Sequence, residues 1–146
     1  MTVDIAKIFE EWEKDGAIDQ SDISRAATNI PKIHNKYFRH YVEEGLKLKK
    51  LKAEYKILVR NKTEWYKGDL DEEELKEHGW KPQPLKILRA DIPQYLESDS
   101  DIIRKTLVIG LQEEVVSYLE SIVKQINNRN FILKTIVDFE RFKGGG

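Results

Sequence analysis

The stretch KLKKLKAEYKILVRNKTEWYKG, residues 47–68, forms the second half of a long predicted helix. No proline follows Pro31 before Tyr66, and Gly45 is the single glycine in that span. Proline and glycine are the residues that most often interrupt helices. The sequence therefore predicts one helix from about Pro31 to Tyr66, with Gly68 as its stop.

Two stripes of side chains run along this helix. At about 100° per residue, one face is apolar and a row of cations lies roughly 130° away from it. The apolar stripe comprises Leu48, Leu51, Tyr55 and Leu58. The basic stripe comprises Lys49, Lys52, Lys56, Arg60 and Lys67. Such a row can neutralise successive phosphates, and Trp65 and Tyr66 at its end can stack on unpaired bases. Together these features favour single-stranded nucleic acid as a ligand.

The alternative for this helix is an ordinary solvated face, with Trp65 and Tyr66 closing a core. Lys62 bears on the choice because its position on the helical wheel falls inside the apolar stripe. A lysine is expected there if the end of the helix is exposed, or if its stem lies along apolar surface while the ammonium reaches water. The position of Lys62 slightly favours the binding interpretation.

Composition bounds the class of protein. The chain has 146 residues, 40% hydrophobic and 35% charged, which fits one soluble globular domain with an appended oligomerisation element. The net charge of −1 hides a segregation, since residues 45–68 carry +6 and residues 69–77 carry −5. The absence of cysteine excludes disulfides and thiolate metal sites and fits a reducing cytoplasm. No signal peptide or membrane span is predicted.

The rest of the chain predicts an all-α fold. A short first helix begins after Thr2, as its cap, and stops at Gly16. Residues 69–96 are acidic and then proline-containing, which indicates an irregular connector with at most a short strand at residues 85–88. Two further helices are predicted, about Ile102 to Ile126 and Phe131 to Phe142. We divide the chain into a nucleic-acid-binding region, residues 1–96, and an oligomerisation region, residues 97–146.

The last two helices are apolar on more than one side, and Gly110 invites close approach of another helix. A small chain cannot cover such helices by itself, so the surplus apolar surface favours contact with another subunit. A central helix in an ordinary bundle is the alternative for residues 102–126. The residues predicted to drive assembly are Phe131, Ile132, Leu133, Ile136, Val137, Phe139 and Phe142.

The sequence predicts no enzyme, cofactor or metal site. His34, His40 and His78 have no metal-ligand spacing, and neither a glycine-rich phosphate loop nor a nucleophile elbow occurs. The acidic run from Asp69 to Glu77 is interpreted as a solvated loop. It has two alternatives, a divalent-ion site and a mask for the basic stripe.

Three stretches together resemble the UvsY recombination mediators of T-even-like phages. They are IDQSDISRAATNI at residues 18–30, KLKKLKAEYKILVRNKTEWYKG at 47–68 and NRNFILKTIVDFERFKGG at 128–145. The resemblance covers nearly the whole chain as scattered similarity, without an invariant signature.

The resemblance implies a non-catalytic protein of the infected host's cytoplasm that binds single-stranded DNA as a ring, a hexamer or heptamer. Proteins of this kind help a RecA-like recombinase, UvsX, replace single-strand-binding protein on DNA. The family's DNA-contact pair is two basic residues one position apart, before an aromatic pair and a glycine. Here it falls on Arg60 and Lys62, before Trp65, Tyr66 and Gly68.

The family's C-terminal helix drives assembly, which the resemblance transfers to residues 131–142. Two departures stand out: the acidic connector around residues 71–77 is longer, and Trp65 occupies a tyrosine-like position. The order of lysine and arginine in the basic pair is also reversed.

A second hypothesis from a different class remains open. The chain could be a helical adaptor without a nucleic-acid role, whose basic stripe docks an acidic protein partner or its own residues 69–77. Titration with single-stranded oligonucleotides at two salt concentrations separates the two hypotheses.

Overall fold

The structure is a computed structural model that describes residues 5–145. Within that range the chain consists of helices, turns and loops without a strand, which confirms the all-α prediction. The helices are α1 (Ile5–Asp15), α2 (Ile23–Thr28), α3 (Ile30–Lys67), α4 (Glu72–His78), α5 (Ile92–Glu97), α6 (Ser100–Asn127) and α7 (Arg129–Lys143). Thr2, the predicted cap of α1, lies outside the described residues. No helix of the described range is long and apolar enough to cross a bilayer.

Helix α3 confirms the long helix predicted from the spacing of its breakers. Pro31 lies in its first turn, where the missing amide donor costs nothing. The helix ends at Gly68, whose φ of 76° is a left-handed conformation that suits glycine. Beyond it, the Asp69 amide donates to the Glu64 carbonyl over 3.1 Å, which satisfies one of the last carbonyls of the helix.

The chain divides into two compact units, and α3 and α6 each run through both. Unit 1 comprises residues 1–45 and 114–146, and unit 2 comprises residues 46–113. These units do not coincide with the predicted regions 1–96 and 97–146. That functional division therefore stays a prediction.

Unit 1 contains the larger apolar core. Its buried members are Ile8, Ile33, Tyr37, Val115, Leu119, Ile122 and Ile126. They come from α1, α3 and α6, and α3 and α6 contribute them at three- or four-residue intervals. Arg129, at the start of α7, is buried and donates through Nη2 to the carbonyls of Asp15 (2.9 Å) and Gly16 (2.8 Å). A cation thus satisfies the exposed carbonyl end of α1.

Unit 2 is built around the C-terminal half of α3 and the N-terminal half of α6. Its buried apolar side chains are Tyr66, Leu75, Ile92, Ile102 and Ile109. Lys105 of α6 donates to Glu54 of α3 over 2.7 Å and forms an ion pair with it, which links the two helices. This contact and the half-buried apolar stripe of α3 fix which face of the helix points to solvent.

The connector between α3 and α6 is more ordered than the sequence predicted. Residues 69–96 hold α4, a 3-10 turn at Arg89–Asp91 and α5, and no strand forms at residues 85–88. The acidic run forms α4 because a capping box starts the helix. The Asp71 carboxylate accepts from the Glu74 amide over 2.8 Å, and the Glu74 carboxylate accepts from the Asp71 amide. Acidic side chains in a first turn also favour the positive end of the helix dipole. Interpreting that run as a loop was wrong, although its acidic side chains are solvated as predicted.

Candidate nucleic-acid interface

The basic face of α3 consists of five exposed side chains. They are Lys49, Lys52, Lys56, Arg60 and Lys67. Within residues 5–145 the first four form no ion pair, and Lys67 has only a long contact of 3.9 Å to Glu64. These cations are therefore hydrated and available, which is the state in which a lysine can exchange water for a phosphate.

The apolar stripe of α3 explains why the basic face points outward. Leu48, Leu51, Tyr55 and Leu58 are half-buried, so the predicted stripe does face protein, although none of them is fully enclosed. Ile57 is an apolar residue on the solvent-facing side of α3, where 60% of its surface is exposed.

No ion pair among the described residues joins the basic face to residues 69–77. The first turn of α4 uses its carboxylates locally, through the Asp71 and Glu74 cap. The intramolecular half of the adaptor hypothesis, in which the acidic run masks the basic stripe, therefore has no support in the observed contacts.

Lys62 does not belong to the exposed face, and its predicted role there needs correction. The residue is 6% exposed, and its ammonium lies 3.2 Å from Asp99 Oδ2 and 2.9 Å from Asp101 Oδ2. The same nitrogen lies over two indole rings, 4.4 Å from the centroid of Trp80 and 5.0 Å from that of Trp65. Lys62 can be buried within the apolar stripe because two carboxylates and two aromatic rings replace the water around its ammonium.

Asp99 organises this cluster with both of its oxygens. Oδ1 caps α6 by accepting from the amides of Asp101 (2.9 Å) and Ile102 (3.0 Å). Oδ2 accepts from the Tyr66 hydroxyl over 2.6 Å and faces Lys62. Burial would raise the pKa of Asp99, but its hydrogen bonds with Tyr66, Ile102 and Lys62 hold that pKa below its usual value of 3.8. The carboxylate therefore stays charged inside unit 2.

The aromatic pair at the end of α3 is also occupied within the protein. Tyr66 is 8% exposed, and burial and its hydrogen bond to Asp99 raise the pKa of its hydroxyl. Trp65 is half-buried and donates through Nε1 to the Lys81 carbonyl over 2.7 Å. Stacking on unpaired bases was predicted for both rings. Burial removes Tyr66 from an exposed binding face, and only part of Trp65 remains accessible.

Asp99, Asp101 and Trp80 were not identified from the sequence as partners of Lys62. The available signal was the wheel position of Lys62 inside the apolar stripe. A lysine buried there needs an acidic partner, because an unpaired buried charge is costly. Asp99 also lies directly before α6, where aspartate is a favoured capping residue, and it does cap that helix. Its second function as an ion-pair partner depends on a tertiary contact.

Helix α7 exposes most of the residues predicted to drive assembly. Phe131, Phe139 and Phe142 are 72%, 55% and 80% exposed, and Ile132 is 36% exposed. Ile136 and Val137 are half-buried. Leu133 is 5% exposed and packs within its own chain, so its burial does not support the predicted role in assembly, which stays a prediction. Large exposed aromatic side chains on one helix are unusual for an isolated monomer.

No group of three or more acidic or histidine residues in the described range is arranged to hold a metal ion. The acidic run that was considered for a divalent ion lies on α4, with its carboxylates exposed around the first turn.

Comparison with known proteins gives a consistent result. A family model described as "Recombination, repair and ssDNA binding protein UvsY" matches residues 11–146. No curated protein sequence matches significantly. Two crystal structures of the bacteriophage T4 recombination mediator protein UvsY share the fold. One (lattice type II) has a TM-score of 0.83 at 17% identity over 98% of this chain and 99% of that one. The other (lattice type IV) has a TM-score of 0.81 at 18% identity over 96% and 99%. The chain belongs to the UvsY family of recombination, repair and single-stranded-DNA-binding proteins.

Proposed function

We propose that the protein is a recombination mediator that binds single-stranded DNA through the basic face of α3 as a ring of six or seven subunits. In this proposal it promotes loading of a RecA-like recombinase onto DNA covered by single-strand-binding protein, in the cytoplasm of the infected bacterial host. Recombination, repair and recombination-dependent replication are the processes it serves.

The observation that carries the proposal is the row of exposed cations on one side of α3, four of which form no ion pair among the described residues. At a rise of about 1.5 Å per residue, Lys49 and Lys67 are separated by roughly 27 Å along the helix. This length spans several phosphates of an extended strand. Each phosphate neutralised releases counterions, so the affinity falls steeply with salt and is largely independent of base sequence.

Assembly supplies the affinity that one helix lacks. A ring repeats the basic face once per subunit, and after the first subunit binds, the others engage the strand at high effective concentration. The exposed phenylalanines of α7 support such assembly because their burial against another copy would remove a large apolar area from water.

Loading of the recombinase follows from competition for the strand. A ring that binds the sugar-phosphate chain at several points constrains its path. A resident single-strand-binding protein needs the strand to follow a different path, so its binding to the DNA is weakened. The strand that it releases is then open to nucleation of the recombinase filament.

The test is a triple variant, Lys52→Ala, Lys56→Ala and Arg60→Ala, titrated with labelled oligo(dT) at several salt concentrations. We expect weaker binding and a shallower dependence of log affinity on log salt, by about 0.7 for every phosphate that the variant no longer neutralises. The control is Lys50→Ala with Lys76→Ala, which removes two exposed cations from unit 2 outside the basic face. Unchanged affinity and slope in the triple variant, with the fold intact, would contradict the proposal.

The mediator step needs its own measurement. Purified RecA-like recombinase is added to DNA already covered by single-strand-binding protein, and its DNA-dependent ATPase is followed with the wild type or the triple variant. The wild type should shorten the lag and the variant should not. Equal lags with and without the wild-type protein would refute the loading function while leaving DNA binding intact.

A further inference from the structure

The burial of Lys62 leaves the end of the basic face without the second cation of its predicted pair. Lys62 is held by Asp99, Asp101 and two indole rings, so its ammonium cannot reach a phosphate while this cluster is intact. Another source of positive charge at this end of α3 is therefore significant.

The connector supplies such charge. Residues 81–89 read KPQPLKILR, with Lys81, Lys86 and Arg89 and no acidic residue between them. All three side chains are exposed, and none forms an ion pair within the described range. This segment therefore carries a local charge of +3 that no internal ion pair neutralises. The earlier part of the connector, residues 69–77, carries −5 instead.

Residues on either side of the segment 81–89 contact the C-terminal end of α3. Near its start, Trp65 Nε1 donates to the Lys81 carbonyl over 2.7 Å, and the Trp65 and Trp80 ring centroids are 6.2 Å apart. After its end, the Tyr66 and Tyr95 rings lie 5.6 Å apart. Contacts on both sides give the cations between them a defined position relative to α3.

One of these cations lies beside the basic face. Lys67 and Arg89 line the same open depression of about 340 Å³, together with Asp69, Ile87 and Ile92. Two cations against one carboxylate leave the depression positively charged. The exposed side chains of Leu85 (58%) and Leu88 (72%) lie in the same segment and offer apolar surface to sugars or bases.

We propose that Lys86 and Arg89 form a second phosphate-binding site for single-stranded nucleic acid, continuous with the basic face through Lys67. The site takes over the role that the family pattern assigns to Lys62. It rests on the proposed function, because its ligand is the same strand that α3 binds.

The test is the double variant Lys86→Ala and Arg89→Ala, titrated with labelled oligo(dT) at several salt concentrations. We expect affinity to fall about tenfold and the salt dependence to become shallower, because fewer phosphates are neutralised in the complex. The charge-preserving variant Lys86→Arg with Arg89→Lys should retain the wild-type slope. The control is again Lys50→Ala with Lys76→Ala, which removes the same charge from unit 2.

The outcomes separate this site from the proposed function. If the connector double variant binds like the control while the α3 triple variant binds weakly, the connector site is refuted and the function of α3 stands. If neither variant differs from the control, both proposals are refuted. Circular dichroism and light scattering confirm that each variant keeps its helix content and mass, as expected for exposed side chains.

Discussion

At the scale of single residues, Lys62 is a stabilising side chain whose removal is costly. Lys62→Met keeps the apolar stem but leaves Asp99 buried with one partner fewer. Breaking a buried ion pair on one side costs about 3 kcal/mol, because the remaining charge stays desolvated. Urea unfolding should register that cost in the free energy of unfolding.

Lys49→Met serves as the control for this variant, because Lys49 is exposed and unpaired. Its effect should stay within about 0.5 kcal/mol. Equal stabilities for the two variants would show that the Lys62 cluster contributes little.

Asp99 makes a pH-dependent contribution whose sign follows from its lowered pKa. A carboxylate with a folded-state pKa below its unfolded value of 3.8 stabilises the protein fully above that value. The contribution is lost as pH falls through the lower folded pKa. Asp15 acts in the same direction: burial raises its pKa, but hydrogen bonds with Lys36 and Tyr37 outweigh that effect and lower it.

Urea midpoints measured at about pH 7 and at successive values below about pH 4 test this contribution. Asp99→Asn keeps a capping oxygen but cannot titrate, so it should be less stable near neutrality and lose less stability in acid. A variant with the same acid dependence as the wild type would assign the effect to other carboxylates.

Residue-level sequence reasoning identified where Lys62 lies but not what surrounds it. Its wheel angle depends only on helical periodicity, which the sequence contains. Its partners Asp99 and Trp80 come from the start of α6 and from the connector, and only the tertiary fold brings them together. For the same reason the exposure of Arg60 could be predicted and the burial of Tyr66 could not.

At the scale of elements, α4 depends on its cap. Asp71→Ala removes the acceptor of the Glu74 amide and should destabilise this helix by about 1 kcal/mol. Hydrogen exchange of the amides of residues 74–78 should accelerate, while amides in the middle of α6 serve as the internal control. Unchanged exchange in α4 would mean that burial of Leu75, rather than the cap, holds the helix.

Helix α7 is the element on which assembly should depend. Phe139→Asp with Phe142→Asp places charges on an exposed apolar face, so we expect smaller species in light scattering and weaker DNA binding through reduced multivalency. Gln125→Asp adds a charge at an exposed polar position of α6 and should leave the mass unchanged. Full-sized assemblies of the phenylalanine variant would exclude this face as a subunit contact.

The long helices were predictable and the connector was not. Helices α3, α6 and α7 follow from sustained periodicity and from breakers at their ends, which are local properties. In the connector, the high charge of residues 69–77 was interpreted as a loop. The available sequence signals for α4 were the capping-box spacing of Asp71 and Glu74 and the glycine at position 79. In the structure Gly79 ends the helix in a left-handed conformation.

At the scale of the whole molecule, the two units were beyond sequence reasoning. Unit 1 joins residues from both ends of the chain, and nothing in local composition indicates which distant helices share a core. The prediction of one domain with an appended assembly element assumed that function divides along the chain. The units instead alternate along it, and α3 and α6 contribute to both.

The contact of Arg129 with the carbonyl end of α1 bears on the order in which the nascent protein matures. Residues 46–113 are contiguous along the chain. Helix α1 can contact α3 early, through Asp15 with Lys36 and Tyr37, but its C-terminal carbonyls wait for residue 129. At typical elongation rates that delay is on the order of ten seconds. During it α1 has its partners in α3 but lacks Leu119 of the core and Arg129. Helix α1 therefore precedes α6 in the chain and yet completes its packing only after α6 and α7 have been made.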